Sequence, residues 1–168
     1  MTVGMDPDGG LGFERFFQGE YERLLRTMYV LCRNRPEAED LAQEAMARAF
    51  ERWETVRAAA SPIAYVYGIA LNLHRSALRR AALAMRPRQS DLVPADDPEA
   101  IAETRDDVLR ALRSIPRTQR EALLLVEWIG MTSEEAGRAL GIKPESVRGR
   151  VHRARMALRE RFGGPSDG

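Results

Sequence analysis

The run from Thr132 to Arg161, TSEEAGRALGIKPESVRGRVHRARMALRER, restricts the possible folds more than any other stretch. It reads as two helices joined by a tight turn. Thr132 or Ser133 is placed to cap the first helix, and Glu135 stands where the acid of a capping box belongs. That helix stops at Leu140-Gly141, with glycine as the left-handed terminator. Pro144 restarts it, because the nitrogen of a first-turn residue owes no hydrogen bond. A short helix, a turn containing glycine and a longer basic helix are the parts of a helix-turn-helix.

The second helix has two faces. Val147, Val151, Ala154 and Leu158 form a narrow apolar stripe that must pack inward. Around the rest stand Arg148, Arg150, Arg153, Arg155, Arg159 and Arg161, against Glu145 and Glu160 alone. Opposite the stripe lies Gly149, flanked by Glu145, His152 and Arg153. A glycine within a helix costs about 1 kcal/mol relative to alanine, and close approach of the backbone to another surface is one reason to keep it. A charge run on a terminal helix is by default a solvated face. The helix-turn-helix pattern turns the reading toward DNA, where arginines hold phosphates or read guanine edges.

The rest of the chain narrows the function classes. Its 168 residues make one large domain or two small ones, and 44% hydrophobic content supports real cores. No apolar run approaches the roughly 18 residues of a membrane span. The first residues, MTVGMDPDGG, do not read as a signal peptide, and a cytoplasmic location is expected. Cys32 is the only cysteine, which excludes an internal disulfide and a CxxC metal or redox site. His74 and His152 have no carboxylate cluster at ligand spacing, so neither metal nor cofactor is expected. The net charge of +1 hides an uneven distribution. Five arginines and no acid fall between Asn72 and Arg88, and seven acids with one arginine between Asp91 and Asp107. Such blocks suggest separate surfaces for separate partners.

Taken in order, residues 1–11 are Gly- and Asp-rich and expected to be disordered. From Phe13 an apolar pattern at threes and fours runs to Cys32, with Gly19 as a possible break into two helices. Asn34-Arg35-Pro36-Glu37 is a helix start. The helix that follows is two-sided: Ala38, Leu41, Ala42, Ala45, Met46, Ala49 and Trp53 inward, Asp40, Gln43, Glu44, Ala47 and Glu51 outward. Taken alone, that outer side is ordinary solvent-exposed surface. Residues 54–62 are expected as a loop, closed by Ser61-Pro62 as the next start. From Ile63 to about Leu83 the expected inward stripe is Ile63, Val66, Tyr67, Ala70, Leu73, Ala77 and Ala81. Tyr65, Gly68, Asn72, Arg75 and Arg79 share the opposite face. This is either a surface for base stacking and phosphate contact or a peripheral tyrosine above a solvated basic end. Residues 86–99, with three prolines, are a linker and domain boundary. A helix over 100–115 carries Ile101, Val108, Leu109, Leu112 and Ile115, and Pro116 ends it. Another over 117–129 carries Leu123, Leu124, Val126 and Trp128. No strand alternation occurs. The expected fold class is all-α: two small helical domains on a flexible linker, 12–85 and 100–162, with 163–168 a disordered tail.

Two separated groups of residues resemble one family. Ala38-Glu39-Asp40-Leu41-Ala42-Gln43-Glu44, Ile69-Ala70-Leu71-Asn72 and Arg79-Arg80 are similar to the N-terminal domain of sigma-70-type factors of the extracytoplasmic-function (ECF) group. Ile115-Pro116, Arg120-Glu121-Ala122, Glu135, Leu140-Gly141 and the run Val147–Arg155 resemble the C-terminal one. The resemblance covers Phe13 to Phe162. It implies a sigma region 2 over 12–85, a region 4 over 100–162, and no enzymatic chemistry. It further implies that Asp40, Gln43, Glu44 and Ala47 dock on the β′ clamp helices of core RNA polymerase. Trp53, Arg57, Tyr65, Asn72, Arg75, Arg79 and Arg80 would handle the −10 element of promoter DNA. Lys143, Glu145, Arg148, Gly149, Arg150, His152 and Arg153 would face the −35 element. The polymerase β flap and an anti-sigma factor are further implied partners, and the acids Asp91, Asp96 and Asp97 would enter the polymerase channel. In this family Trp is common where Tyr65 stands, Glu-Ile-Ala is usual for Glu135-Ala136-Gly137, and Ser is more usual than Gly149. The competing reading is a stand-alone helix-turn-helix regulator whose N-terminal helices bind a ligand or partner. An enzyme would require a nucleophile–base pair, a metal cluster or a phosphate loop.

Overall fold

The computed structural model describes residues 7–84 and 103–163, with side chains described for 12–84 and 107–163. Residues 1–6, the linker 86–99 with Asp91, Asp96 and Asp97, Ile101 and the tail beyond 163 lie outside the described residues. Regular structure among those described is all helical, in two compact units.

The first unit holds α1 (Pro7–Cys32), α2 (Arg35–Glu51), α3 (Trp53–Ala58) and α4 (Pro62–Leu83). Its starts are made as the sequence dictates. Asn34 Oδ1 accepts from Glu37 N at 3.0 Å, and Ser61 Oγ accepts from Ala64 N at 3.2 Å. A proline in each first turn adds a φ already set for a helix. The seam of α2 is made of alanine: Ala38, Ala42, Ala45 and Ala49 are all fully buried, letting α1 and α4 come close. Leu24, Met28, Leu41, Met46, Val56, Val66, Tyr67 and Leu71 complete the core. Cys32 belongs to it, its thiol donating to Met28 O at 2.9 Å.

Several expectations are corrected here. The helix α1 is continuous through Gly19, because the aromatics on either side of that exposed glycine continue one pattern; it starts at Pro7, ahead of the expected boundary. The expected loop 54–62 contains α3: the chain turns at Arg52 and rewinds at Trp53, with Val56 buried. The buried face of α4 is rotated from the expected stripe. Ala64, Leu71 and His74 are buried, while Ile63, Leu73, Ala77 and Ala81 are half-buried.

The second unit holds α5 (Glu103–Ser114), α6 (Arg117–Leu123), α7 (Ser133–Leu140) and α8 (Pro144–Phe162), with one π-helical turn over Leu124–Trp128. The junction between α5 and α6 is tied by Arg120. Its guanidinium donates to the carbonyls of Leu112 at 2.8 Å, Ile115 at 3.0 Å and Arg113 at 3.3 Å. Buried Glu121 accepts from Arg117 at 3.0 Å. In the π turn Ile129 N reaches back five residues to Leu124 O at 3.0 Å. Ile129 therefore lies on the buried side with Leu124. Trp128, expected there from a 3.6-residue period, is 56% exposed instead. Val108 is likewise exposed, and Ala111 takes its place in the core of α5.

Candidate nucleic-acid interface

The turn between α7 and α8 is fixed by backbone chemistry. Thr132 caps α7, accepting from Glu135 N at 3.1 Å, while Glu135 accepts from Thr132 N at 2.8 Å. Gly141 ends α7 in the left-handed region at φ 68°. Gly137 is required by contact: a Cβ there would stand 2.8 Å from the carbonyl oxygen of Ile142. The helix α8 then leaves at Pro144 with Val147, Val151 and Ala154 buried against its own unit.

The outer face of α8, with Lys143 at its N-cap, carries the residues expected to meet the −35 element. Lys143, Glu145, Arg148, His152 and Arg153 are exposed, and Gly149 and Arg150 half-exposed. No backbone crowding explains Gly149, since an added Cβ would meet only the Arg153 guanidinium, at 3.5 Å. Its helix cost of about 1 kcal/mol is not offset within this unit. Arg148 is held by two carboxylates, Glu145 at 3.2 Å and Glu134 of α7 at 3.7 Å. Arg155, outside the expected set, pairs with Glu127 of the π turn and fastens α8 from the side.

In the first unit, the outer face of α2 presents Asp40, Gln43, Glu44 and Ala47, all exposed. Glu44 pairs with Arg48 at 2.7 Å. The side chains of Asp40 and Gln43 make no hydrogen bond or ion pair among the described residues. On α4, Tyr65 and Arg75 are half-exposed, and Asn72, Arg79 and Arg80 exposed. Arg79 donates to Ser76 at 3.4 Å. Arg57 on α3 is exposed and donates to Glu54 at 2.8 Å. Trp53, on the same short helix as Arg57, packs among aromatics. Its ring lies 5.4 Å from Phe13 and 5.3 Å from Phe16, and its indole N–H is buried without an acceptor among the described residues.

Two buried polar groups support the α4 face from below. His74 Nδ1 lies 3.7 Å from the Glu37 carboxylate, linking α4 to the first turn of α2. The Tyr67 phenol is held un-ionised by burial, which pushes its pKa up to about 12, with neighbouring Thr27 pulling the other way. The Thr27 proton goes to Arg23 O at 2.8 Å. The pairing of Glu134, the carbonyl contacts of Arg120 and the burial of His74 were not foreseen from the sequence. Only the first-turn position of Glu134 could have drawn notice, and the other two depend on tertiary neighbours.

Residues 16–83 match the family described as Sigma-70 region 2, and residues 105–158 match Sigma-70 region 4. The chain is 31% identical over 151 residues to the RNA polymerase sigma-E factor of Streptomyces coelicolor, covering 89% of this chain and 85% of that one. It is 33% identical over 147 residues to the ECF RNA polymerase sigma factor SigE of Mycolicibacterium smegmatis, covering 83% of this chain and 57% of that longer relative. Among solved structures it resembles the sigma factor RpoE of Bartonella quintana, in complex with the anti-sigma factor NepR. The TM-score is 0.76 at 24% identity, over 94% of this chain and 99% of that one. It also resembles CnrH in complex with the cytosolic domain of CnrY, with a TM-score of 0.64 at 21% identity, over 93% and 89% of the two chains.

Proposed function

The chain belongs to the ECF sigma factors of the sigma-70 family, and on that premise we propose that it binds core RNA polymerase and directs it to a defined set of promoters. The observation that carries this reading is the pairing of two family regions in one chain, each with a polar outer face left over after its core is built. In this reading residues 12–85 are the polymerase-docking and −10 unit, 86–99 the tether, and 100–162 the −35 unit. Asp40, Gln43, Glu44 and Ala47 dock on the β′ clamp helices. Tyr65, Asn72, Arg75, Arg79 and Arg80, with Trp53 and Arg57 beside them, capture the opened −10 strand. Stacking and single-strand contacts become available only once bases are unpaired. Lys143, Glu145, Arg148, Gly149, Arg150, His152 and Arg153 face the −35 major groove, in the recognition-helix position.

The protein acts by binding and carries no reaction of its own. It works in the cytoplasm with polymerase, and no helix among the described residues is long and apolar enough to cross a membrane. An anti-sigma factor is its regulator in this reading, as one is present in the complex of the Bartonella relative. A stand-alone regulator would not require the region 2 match over 16–83. The test is transcription from a promoter library by purified core polymerase with and without this chain. New start sites that share spaced upstream elements are expected. Identical transcripts in both reactions would refute the proposal.

A further inference from the structure

Among the cations on the outer face of α8, Arg148 differs in being held. Glu145 reaches it from one turn away on the same helix, an ordinary i, i+3 pair. Glu134 reaches it from α7, across the turn of the motif. Lys143, Arg150 and Arg153 hold no ion pair among the described residues. The side chains of Arg148 and Glu134 remain 55% and 60% exposed, so their pairing is open to exchange with an incoming group.

The identity of that group then matters. A phosphate that approaches Arg148 comes close to two carboxylates, and like charges brought together disfavour the contact. A guanine edge offers its O6 and N7 acceptors without a net charge and does not meet that repulsion. Acids placed beside one arginine thus penalise the unspecific partner while leaving the specific one available. We propose that Glu134 is a specificity-determining residue of the −35 face, acting through Arg148. It turns that arginine from a phosphate anchor into a reader of base edges. The inference rests on α8 being the −35 helix.

The test uses the full chain and two labelled duplexes, one selected by this protein from a random library and one scrambled. Glu134→Gln should raise affinity for the scrambled duplex about 5-fold, the scale of one exposed charge interaction. Its salt dependence should steepen by about 0.9 in log–log slope, one further phosphate contact. Affinity for the selected duplex should change by less than about 2-fold, the scale of a contact that meets no charge penalty. Glu134→Asp, which keeps the charge, should behave like the parent. In an Arg148→Ala background Glu134→Gln should have no effect on either duplex. Both Glu134 variants retain the Thr132–Glu135 capping box, and thermal unfolding checks that the unit is intact. An equal rise for Glu134→Gln with or without Arg148 would mean only a change in net charge, and the inference would be overturned while the −35 reading stood. No rise at all overturns it as well. If Arg148→Ala alone alters neither duplex, Arg148 does not face DNA, and that assignment falls together with the inference.

Discussion

Replacing Arg120 with Met tests how the second unit is held together. Methionine keeps an unbranched apolar stem and removes the guanidinium. Three carbonyls at the end of α5 then lose their donor: Leu112, Ile115 and Arg113, at 2.8, 3.0 and 3.3 Å. A hydrogen bond from a charged donor contributes about 1.5–3 kcal/mol. The contact to Arg113 is long at 3.3 Å and correspondingly weak, so the three act as about two full bonds. Arg120 is half-buried, and water can reach part of the vacated space. The expected loss is therefore about 2–3 kcal/mol, below the simple sum of such bonds. For a unit of this size each kcal/mol lowers Tm by about 4–8 °C, so the α5–α8 transition should fall by about 10–20 °C. Arg120→Lys keeps the charge but presents a point donor to a three-carbonyl site, and should recover less than half of the loss. Calorimetry of the full chain, read beside the α1–α4 transition as an internal reference, measures the effect. A shift below about 0.5 kcal/mol, ordinary for a surface change, would show that these bonds merely replace water and do not fasten α5.

Three further outcomes are expected. Tyr67→Phe should be nearly neutral at pH 7 and should remove an alkaline instability. The phenol pKa is raised to about 12 from 10.0, so the parent's contribution is complete below pH 10 and is lost as pH rises toward 12, which urea unfolding across that window will follow. The double variant Asp40→Ala/Gln43→Ala should unfold within about 0.5 kcal/mol of the parent, yet lose at least about 10-fold in polymerase affinity, as for central interface contacts; normal binding in a pull-down titration would sink the docking assignment. Tyr65→Ala and Asn72→Ala should leave closed complexes intact and lower permanganate reactivity of −10 thymines. Unchanged reactivity in both would leave that face of α4 as ordinary surface.

What was legible in the sequence was whatever neighbouring residues settle among themselves. Asn34, Ser61 and Thr132 cap their helices as their spacing to Glu37, Ala64 and Glu135 requires. The six buried residues of α2 keep their expected side, because one helix period governs all of them. The misassigned faces have two causes, a period that changes within the element and a neighbour that redefines its face. The π turn adds a residue between Leu124 and Ile129, which a fixed 3.6-residue count reads as Trp128 inward. On α4 the buried side is drawn toward His74, which sits beside Glu37 of α2. A polar residue gives no apolar signal for that rotation. The exposed faces, as surfaces, were readable by subtraction from the core, whereas the contact of Arg148 with Glu134 spans two helices and has no local signature.

The alanine seam of α2 has a mechanical consequence. Alanine has no side-chain torsion to adjust, and a close-packed contact leaves little room to slide. Ala38, Ala42, Ala45 and Ala49 therefore join α2 to its neighbours α1 and α4 as a stiff joint, with few rotamers to absorb a push. The outer sides of α2 and α4 behave as two ends of one gauge, whose spacing is set during folding and is not retuned by whatever grips either end. A force applied at Asp40 or Gln43 would displace the unit as a whole. If the proposed roles of the two ends hold, a partner that separates them must do so by covering one end, because bending the piece between them is the costlier path.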